Sequence, residues 1–259
     1  MPDVDALPSP TNDVRTHNIA LLRATELPIA RASAGAQWSP DCELPPSVWE
    51  LFSSVDHAAG EALALGFAQM RASRDEASKP WLWIQDAQSI RHSGRPFLQG
   101  LPAQQRHRFI HVEARHPADA LWAMEEGVRC DALSFVIGEI AGDPKVLDFT
   151  ATRRLVLASE RHGVPLYLLR RGGTADLSAA RLRWRVGPAP SAPHRWNAVA
   201  PGATRIAAEL FRGRGLNPDQ FVLEHAVGTD EPNATAGHRL TLVSKPRQRP
   251  VDPERRQTG

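Results

Sequence analysis

The chain has 259 residues, of which 42% are hydrophobic and 23% charged, and its formal net charge is +2. That length suits one α/β domain with appendages, or two small domains, and it can bury a sizeable core. No apolar run approaches the roughly 18 residues of a membrane helix, the Pro-rich start MPDVDALPSPTND has neither the basic nor the apolar region of a signal peptide, and Cys42 and Cys130 fit no metal or CxxC spacing. The expectation is a reduced, cytoplasmic protein without structural zinc. Charge is unevenly spread: residues 151–215 hold 12 arginines against three acids, whereas residues 1–150 are net acidic. Such a block either faces nucleic acid or an acidic partner, or forms a solvated Arg-rich surface. With three lysines among 31 basic residues, a compositional background is part of the explanation.

Residues 1–15 read as disordered. THNIALLRATELPIARASA (16–34) has helical apolar spacing interrupted by Pro28, which predicts a short helix, and residues 35–47 read as a Pro-rich linker. Strands and helices then alternate. VWELF (48–52) is a strand, HAAGEALALGFAQMRA (57–72) a helix, and PWLWIQ (80–85) and RFIHVEA (108–114) are strands. PADALWAMEEGVRCD (117–131) is a helix with Pro117 in its first turn, where a missing N–H costs nothing. LSFVIGEI (133–140) is an apolar strand. DFTATRRLVLASERHG (148–163) is a helix with Asp148 or Thr150 as cap and Gly163 as stop, and VPLYLLRR (164–171) is a strand. Apolar strands alternating with helices predict a largely parallel sheet covered on both faces. After Ser178 the segments 180–186, 204–214, 221–227 and 238–244 alternate in polarity and predict antiparallel strands closing the sheet, with 187–203 a long loop and 244–259 a mobile basic tail.

The junction PSVWELFSSVDHAAGEALALGFAQM raises the question of phosphate binding. A phosphate loop needs glycines whose N–H groups turn inward, a Lys for the β/γ oxygens and a Ser or Thr for Mg²⁺. Here Ser53, Asp56 and Gly60 occupy the loop, the first Lys is Lys79, and Asp56 sets a negative charge beside any polyphosphate. The architecture of a phosphate loop is expected here without its chemistry, and no cofactor or metal is expected.

The order of elements resembles a RecA-type ATPase core. The stretches WELFSSVDHAAGEALALGFAQ, PWLWIQD, HPADALWAMEEGVRCDALSFVIGEI, LDFTATRRLVLASERHGVPLYLLR, SAARLRWRV, RIAAELFRGRG and FVLEHAV resemble the ImuA family of RecA-related, catalytically silent proteins, over about residues 48–243. The resemblance implies a RecA-like core at 48–243 with a degenerate phosphate loop, flanked by residues 1–47 and by the tail 244–259. It puts Gln88 near the place of the water-activating Glu, where a neutral amide cannot act as base, and Glu139 at the place of the magnesium-associated carboxylate. With no metal–phosphate to serve, Glu139 reads as a strand-end surface acid. The two DNA-gripping loops of RecA are cut to AGDPK (141–145) and RRGGTADL (170–177), which leaves Arg170 and Arg171 as candidate phosphate contacts in an auxiliary, salt-sensitive role. In the tail, Lys245, Arg247, Arg249, Arg255 and Arg256 are candidate contacts with DNA or a partner. The implied function is that of a non-enzymatic accessory protein in SOS-induced, error-prone translesion synthesis. It would act with an ImuB-like Y-family polymerase subunit and, indirectly, an error-prone polymerase, with RecA as a further candidate partner. The alternative is a cell-division inhibitor of the SulA type.

Other chemistry is weaker. The patch RHRFIHVEARH holds His107, His111 and His116; the His107–His111 spacing would suit a metal only on a helix, and the segment reads as a strand. Trp81, Trp83 and Trp122 are expected in the core. In ARLRWRV, alternation puts Trp184 in the core and Arg183 and Arg185 together on the opposite, surface face.

Overall fold

The computed structural model describes residues 35–75, 79–101, 103–194, 196–227 and 238–244. The expected N-terminal helix at 16–34 and the tail arginines lie outside the described residues. In chain order the elements are β1 (Val48–Ser53), α1 (Ala59–Asp75), β2 (Trp81–Asp86), α2 (Ala87–Ser93), a 3₁₀ turn (Leu98–Gly100), α3 (Ala103–Arg106), β3 (Phe109–Ala114), α4 (Pro117–Arg129), β4 (Val136–Ala141), α5 (Phe149–His162) and β5 (Leu166–Arg171). There follow β6 (Leu182–Ala189), β7 (Pro193–His194), β8 (Asn197–Pro201), β9 (Thr204–Gly213), β10 (Asp219–Val227) and β11 (His238–Ser244). Among the described residues no helix is long and apolar enough to cross a membrane.

Nine strands form one sheet in the order β11-β10-β9-β6-β1-β5-β4-β2-β3. The five strands β1 to β5 run parallel to their neighbours, as their continuous apolar runs require. β9, β10 and β11 extend the sheet as an antiparallel wing. One expectation is corrected at β6, which pairs parallel with β1 and antiparallel only with β9. Its sequence alternates because no helix among the described residues covers its outer face, so polarity pattern reports cover rather than strand direction. A second correction concerns 187–203, where β7 and β8 form a small ribbon instead of an unbroken loop.

Local signals work where they are chemically explicit. Asp148 caps α5, its carboxylate accepting from the Ala151 N–H at 2.7 Å, and Gly163 closes the helix in the left-handed region at φ 74°. Asp86 ends β2 and caps α2 at once, accepting from the Ser89 N–H at 2.8 Å, so strand passes to helix with no loop.

Two cores fill the faces of the sheet. On one, α1 lays Leu63, Ala64, Phe67 and Ala68 against Leu51, Tyr167, Leu169 and Trp184, and on into the wing at Ile206, Leu210 and Leu223. On the other, α4 and α5 pack Leu121, Met124, Leu155 and Val156 on Leu82, Ile84, Ile140 and Leu168. Helix cover is close: a Cβ built on Gly66 of α1 lies 2.5 Å from the Leu240 side chain of β11. Trp38, inside the stretch expected to be a linker, is buried, with its ring 4.9 Å from those of Trp184 and Phe221. Trp81, Trp83 and Trp184 are core residues as expected, but Trp122 is 67% exposed because it falls on the outer side of α4.

Candidate functional site

The site lies at the carboxyl ends of the parallel strands, where α/β sheets place their ligands. β5 ends in Arg170 and Arg171, and the alternation of a strand sends the two side chains to opposite faces of the sheet. Each is buried and each organises its own charge cluster.

Arg171 lies on the α1 face. Its backbone is in register with Ser53 at the end of β1. Its Nη1 donates to the carbonyls of Val55 and His57, at 3.0 and 3.1 Å. Its Nη2 is ion-paired with Glu61 in the first turn of α1, and its Nε lies 3.6 Å from Glu139. The loop between β1 and α1 is therefore filled from within by a guanidinium, toward which two of its carbonyls point. A phosphate cradle has the reverse polarity, with N–H groups pointing inward. The loop closes on itself elsewhere too, since the Ser54 Oγ is 2.7 Å from the Asp56 Oδ2 and Gly60 packs directly on the Ser53 side chain.

Glu139, expected as a surface acid, is fully buried. This is a correction with a simple cause: β4 lies between β5 and β2, covered on both faces, so no side chain in its middle can reach water. The carboxylate accepts from the Gln85 Nε2 at 2.8 Å, the Ser93 Oγ at 2.7 Å and the Trp83 Nε1 at 3.4 Å. Burial pushes its pKa up, against the downward pull of the Ser93, Gln85 and Trp83 hydrogen bonds. The chain of polar contacts continues outward. The Gln85 Oε1 can only accept, so the His111 Nε2 at 2.9 Å carries the proton. The His111 Nδ1 is 3.7 Å from Glu113, which is itself paired with Arg95. Burial lowers the His111 pKa, against the upward pull of Glu113.

Arg170 lies on the other face. It donates to the Asp143 Oδ1 at 2.7 Å and the Gly142 carbonyl at 3.2 Å. Beside it, Glu50 of β1 is fully buried and stands in register with Arg183 of β6, whose Nε donates to the Glu50 Oε2 at 2.6 Å. Phe52 lies under both guanidiniums, 5.5 Å from Arg170 and 5.1 Å from Arg183. Arg183 was expected at the surface with Arg185. Only Arg185 is exposed, paired with Glu209 at 3.1 Å and stacked on Phe211 at 4.3 Å. The reason is the neighbouring strand, since Arg183 stands in register with the Glu50 carboxylate and is drawn onto it.

Arg170 and Arg171 thus end a strand rather than open a loop, and their guanidiniums are spent on internal acceptors. Gln88 is exposed on α2, and Asp56 is exposed at the tip of the β1–α1 loop. His111 is in β3, whereas His107 precedes the strand and His116 stands just before α4 without a side-chain capping bond, so the three lie on different elements. Sequence reasoning did not single out Glu50, Glu61, Gln85, Ser93 or Asp143. A signal for several of them exists: VWELF, VIGEI, LYLLRR and LRWRV each place a charge inside an otherwise apolar strand, and such charges must find one another. A cleft of about 670 Å³ opens beside the loop, lined in part by Ser53, Ser54, Gly172, Gly173 and Arg185.

No family model matches the chain. Among curated proteins, the chain is 34% identical over 156 residues to Protein ImuA from two strains of Caulobacter vibrioides, an alignment covering 56% of this chain. The chain spans about 59% of the length of those relatives. The match and the resemblance seen in the strand and helix sequences agree, both pointing to Protein ImuA as what a little over half of this chain is similar to.

Proposed function

We propose that the chain is a non-enzymatic accessory protein of damage-induced, error-prone translesion synthesis, built on a RecA-like core whose phosphate loop no longer serves nucleotide. Its partners on this reading are an ImuB-like Y-family polymerase subunit and, through it, an error-prone polymerase, with RecA as a further partner and any DNA contact auxiliary. The similarity to Protein ImuA supports the pathway. The single observation that carries the loss of catalysis is the Arg171 side chain inside the β1–α1 loop, where it occupies the inward-facing carbonyls of Val55 and His57. A nucleotide would have to displace a buried cation already paired with Glu61, and it would meet carbonyls rather than N–H donors.

Two measurements test this reading. Calorimetric titration with ATP and Mg²⁺ is expected to give no saturable heat, and saturable Mg²⁺-dependent binding overturns the account of the loop. A tagged pull-down from ultraviolet-damaged cells is expected to recover a Y-family-like polymerase subunit. Recovery of the tubulin-like division protein in its place overturns the pathway in favour of a SulA-type inhibitor.

A further inference from the structure

We propose that the cavity between segments 142–149 and 174–178 is a docking site for an arginine side chain of a partner protein. This goes beyond the accessory role by naming the chemistry of one contact, and it stands on the cavity alone. The cavity measures about 310 Å³, at the small end of ligand pockets, which suits a single long side chain better than a nucleotide. It lies on the face of the sheet opposite the β1–α1 loop, over Glu50.

Its charge is acidic. The lining holds the carboxylates of Glu50, Asp143, Asp148 and Asp176 against the cations Lys145 and Arg170. Much of this charge is committed: Asp148 caps α5, and Asp143 accepts from Arg170 and from the Thr174 N–H and hydroxyl. Glu50 is different. Its Oε2 takes the Arg183 Nε, but its Oε1 has no hydrogen-bond partner among the described residues, although the side chain is fully buried. The Arg170 Nη1 is 3.8 Å away, beyond hydrogen-bond reach, because that guanidinium is turned toward Asp143 and the Gly142 carbonyl. A buried acceptor left unsatisfied costs about 1–3 kcal/mol, and an entering donor recovers that cost.

The mouth is apolar. Phe149 and Leu177 line it and are 41% and 71% exposed. A charged anchor entering a pocket whose apolar rim excludes water is the arrangement of a binding hot spot, and arginine is the cation enriched there. Its planar fork of donors serves several acceptors at once, which a lysine ammonium does less well. Phosphate is disfavoured, because the surplus of carboxylates repels it.

The test is ¹H–¹⁵N NMR on the full chain titrated with the blocked peptide acetyl-Leu-Arg-Leu-amide, beside the same peptide carrying neutral citrulline. The arginine peptide is expected to shift the amides of residues 142–149 and 174–178 saturably, with the citrulline peptide about tenfold weaker or more. Asp176→Asn and Leu177→Ser change only the mouth and leave the Glu50 pairs intact. Each is expected to weaken the peptide several-fold with an unchanged melting temperature. Absence of saturable shifts at millimolar peptide, equal binding of citrulline, or insensitivity to both substitutions overturns the proposal. So does a single-stranded oligonucleotide that shifts these amides where the peptide does not.

Discussion

The parallel half of the sheet and its antiparallel wing carry comparable numbers of charged side chains, but they handle them in opposite ways. Between β1 and β5 both faces are roofed, by α1 on one and by α4 and α5 on the other, so Glu50, Glu139, Arg170 and Arg171 are sealed from water and must be matched to one another. In the wing, α1 still covers the inner face, yet among the described residues no helix covers the outer one. There Arg205 pairs with Glu224 at 3.2 Å and Arg185 with Glu209 at 3.1 Å, all four partly exposed. The difference teaches that the same cross-strand ion pair is an obligation in one half and an ornament in the other. In the interior, desolvation makes a lost partner expensive, whereas at the surface water replaces it.

The contrast predicts a ladder of effects. The largest belongs to Glu50→Ala, which leaves the buried Arg183 without its carboxylate and removes the more distant of the two acids beside Arg170. It is expected to cost about 3–5 kcal/mol in denaturant unfolding, and a loss below about 1 kcal/mol would break the comparison. Arg171→Met keeps most of the side-chain bulk but leaves Glu61, Glu139 and two loop carbonyls without their cation. A loss near the lower end of that range, about 3 kcal/mol, is expected, with faster amide exchange across residues 54–58. Gly66→Val tests whether the wing's inner face is packed as tightly as the parallel half. Its Cβ meets Leu240, so overpacking should cost about 1–3 kcal/mol.

Acid–base behaviour sharpens the contrast further. Glu139 has its pKa raised by burial, so the stability tied to its proton is fully present below the unfolded value of 4.5 and is lost as pH rises through the folded value. His225, whose pKa burial lowers, works in the other direction. Its contribution is complete above 6.5 and is lost as pH falls from there through its folded value. Glu139→Gln and His225→Gln are each expected to flatten the corresponding limb of a plot of urea midpoint against pH, while Glu224→Gln on the outer face leaves both limbs in place. The smallest effect belongs to the wing's own pairs. A double-mutant cycle on Arg205 and Glu224 is expected to return a coupling of about 0.2–1 kcal/mol that fades with added salt.

Most of the fold was legible in the sequence, and so was the doubt about the loop. Periodicity and caps located every helix from α1 to α5 except the short α2 and α3, because those depend on Asp86 ending a strand and on local turns rather than on an amphipathic repeat. Asp148 and Gly163 act through bonds to residues within a few positions, and Pro117 through the N–H it lacks in the first turn, so their roles can be read without tertiary knowledge. That the stretch from Ser53 to Gly60 holds Asp56 and no lysine is likewise a matter of which residues are present.

What fills that loop was not legible. Arg171 lies more than a hundred positions from Val55 and His57, and only the parallel pairing of β5 with β1 brings them together. The sequence by itself determined the alternation of strands and helices, the two-sided cover that long apolar strands require, and the absence of a lysine from the β1–α1 loop. The tertiary structure alone decided which acceptors Arg170 and Arg171 meet, that Glu139 and Arg183 are interior, and that one Glu50 oxygen has no hydrogen-bond partner where the side chain lines a cavity. The physical reason is that strand period fixes which face a side chain takes, but neighbouring strands and helices decide whether that face meets water or another charge.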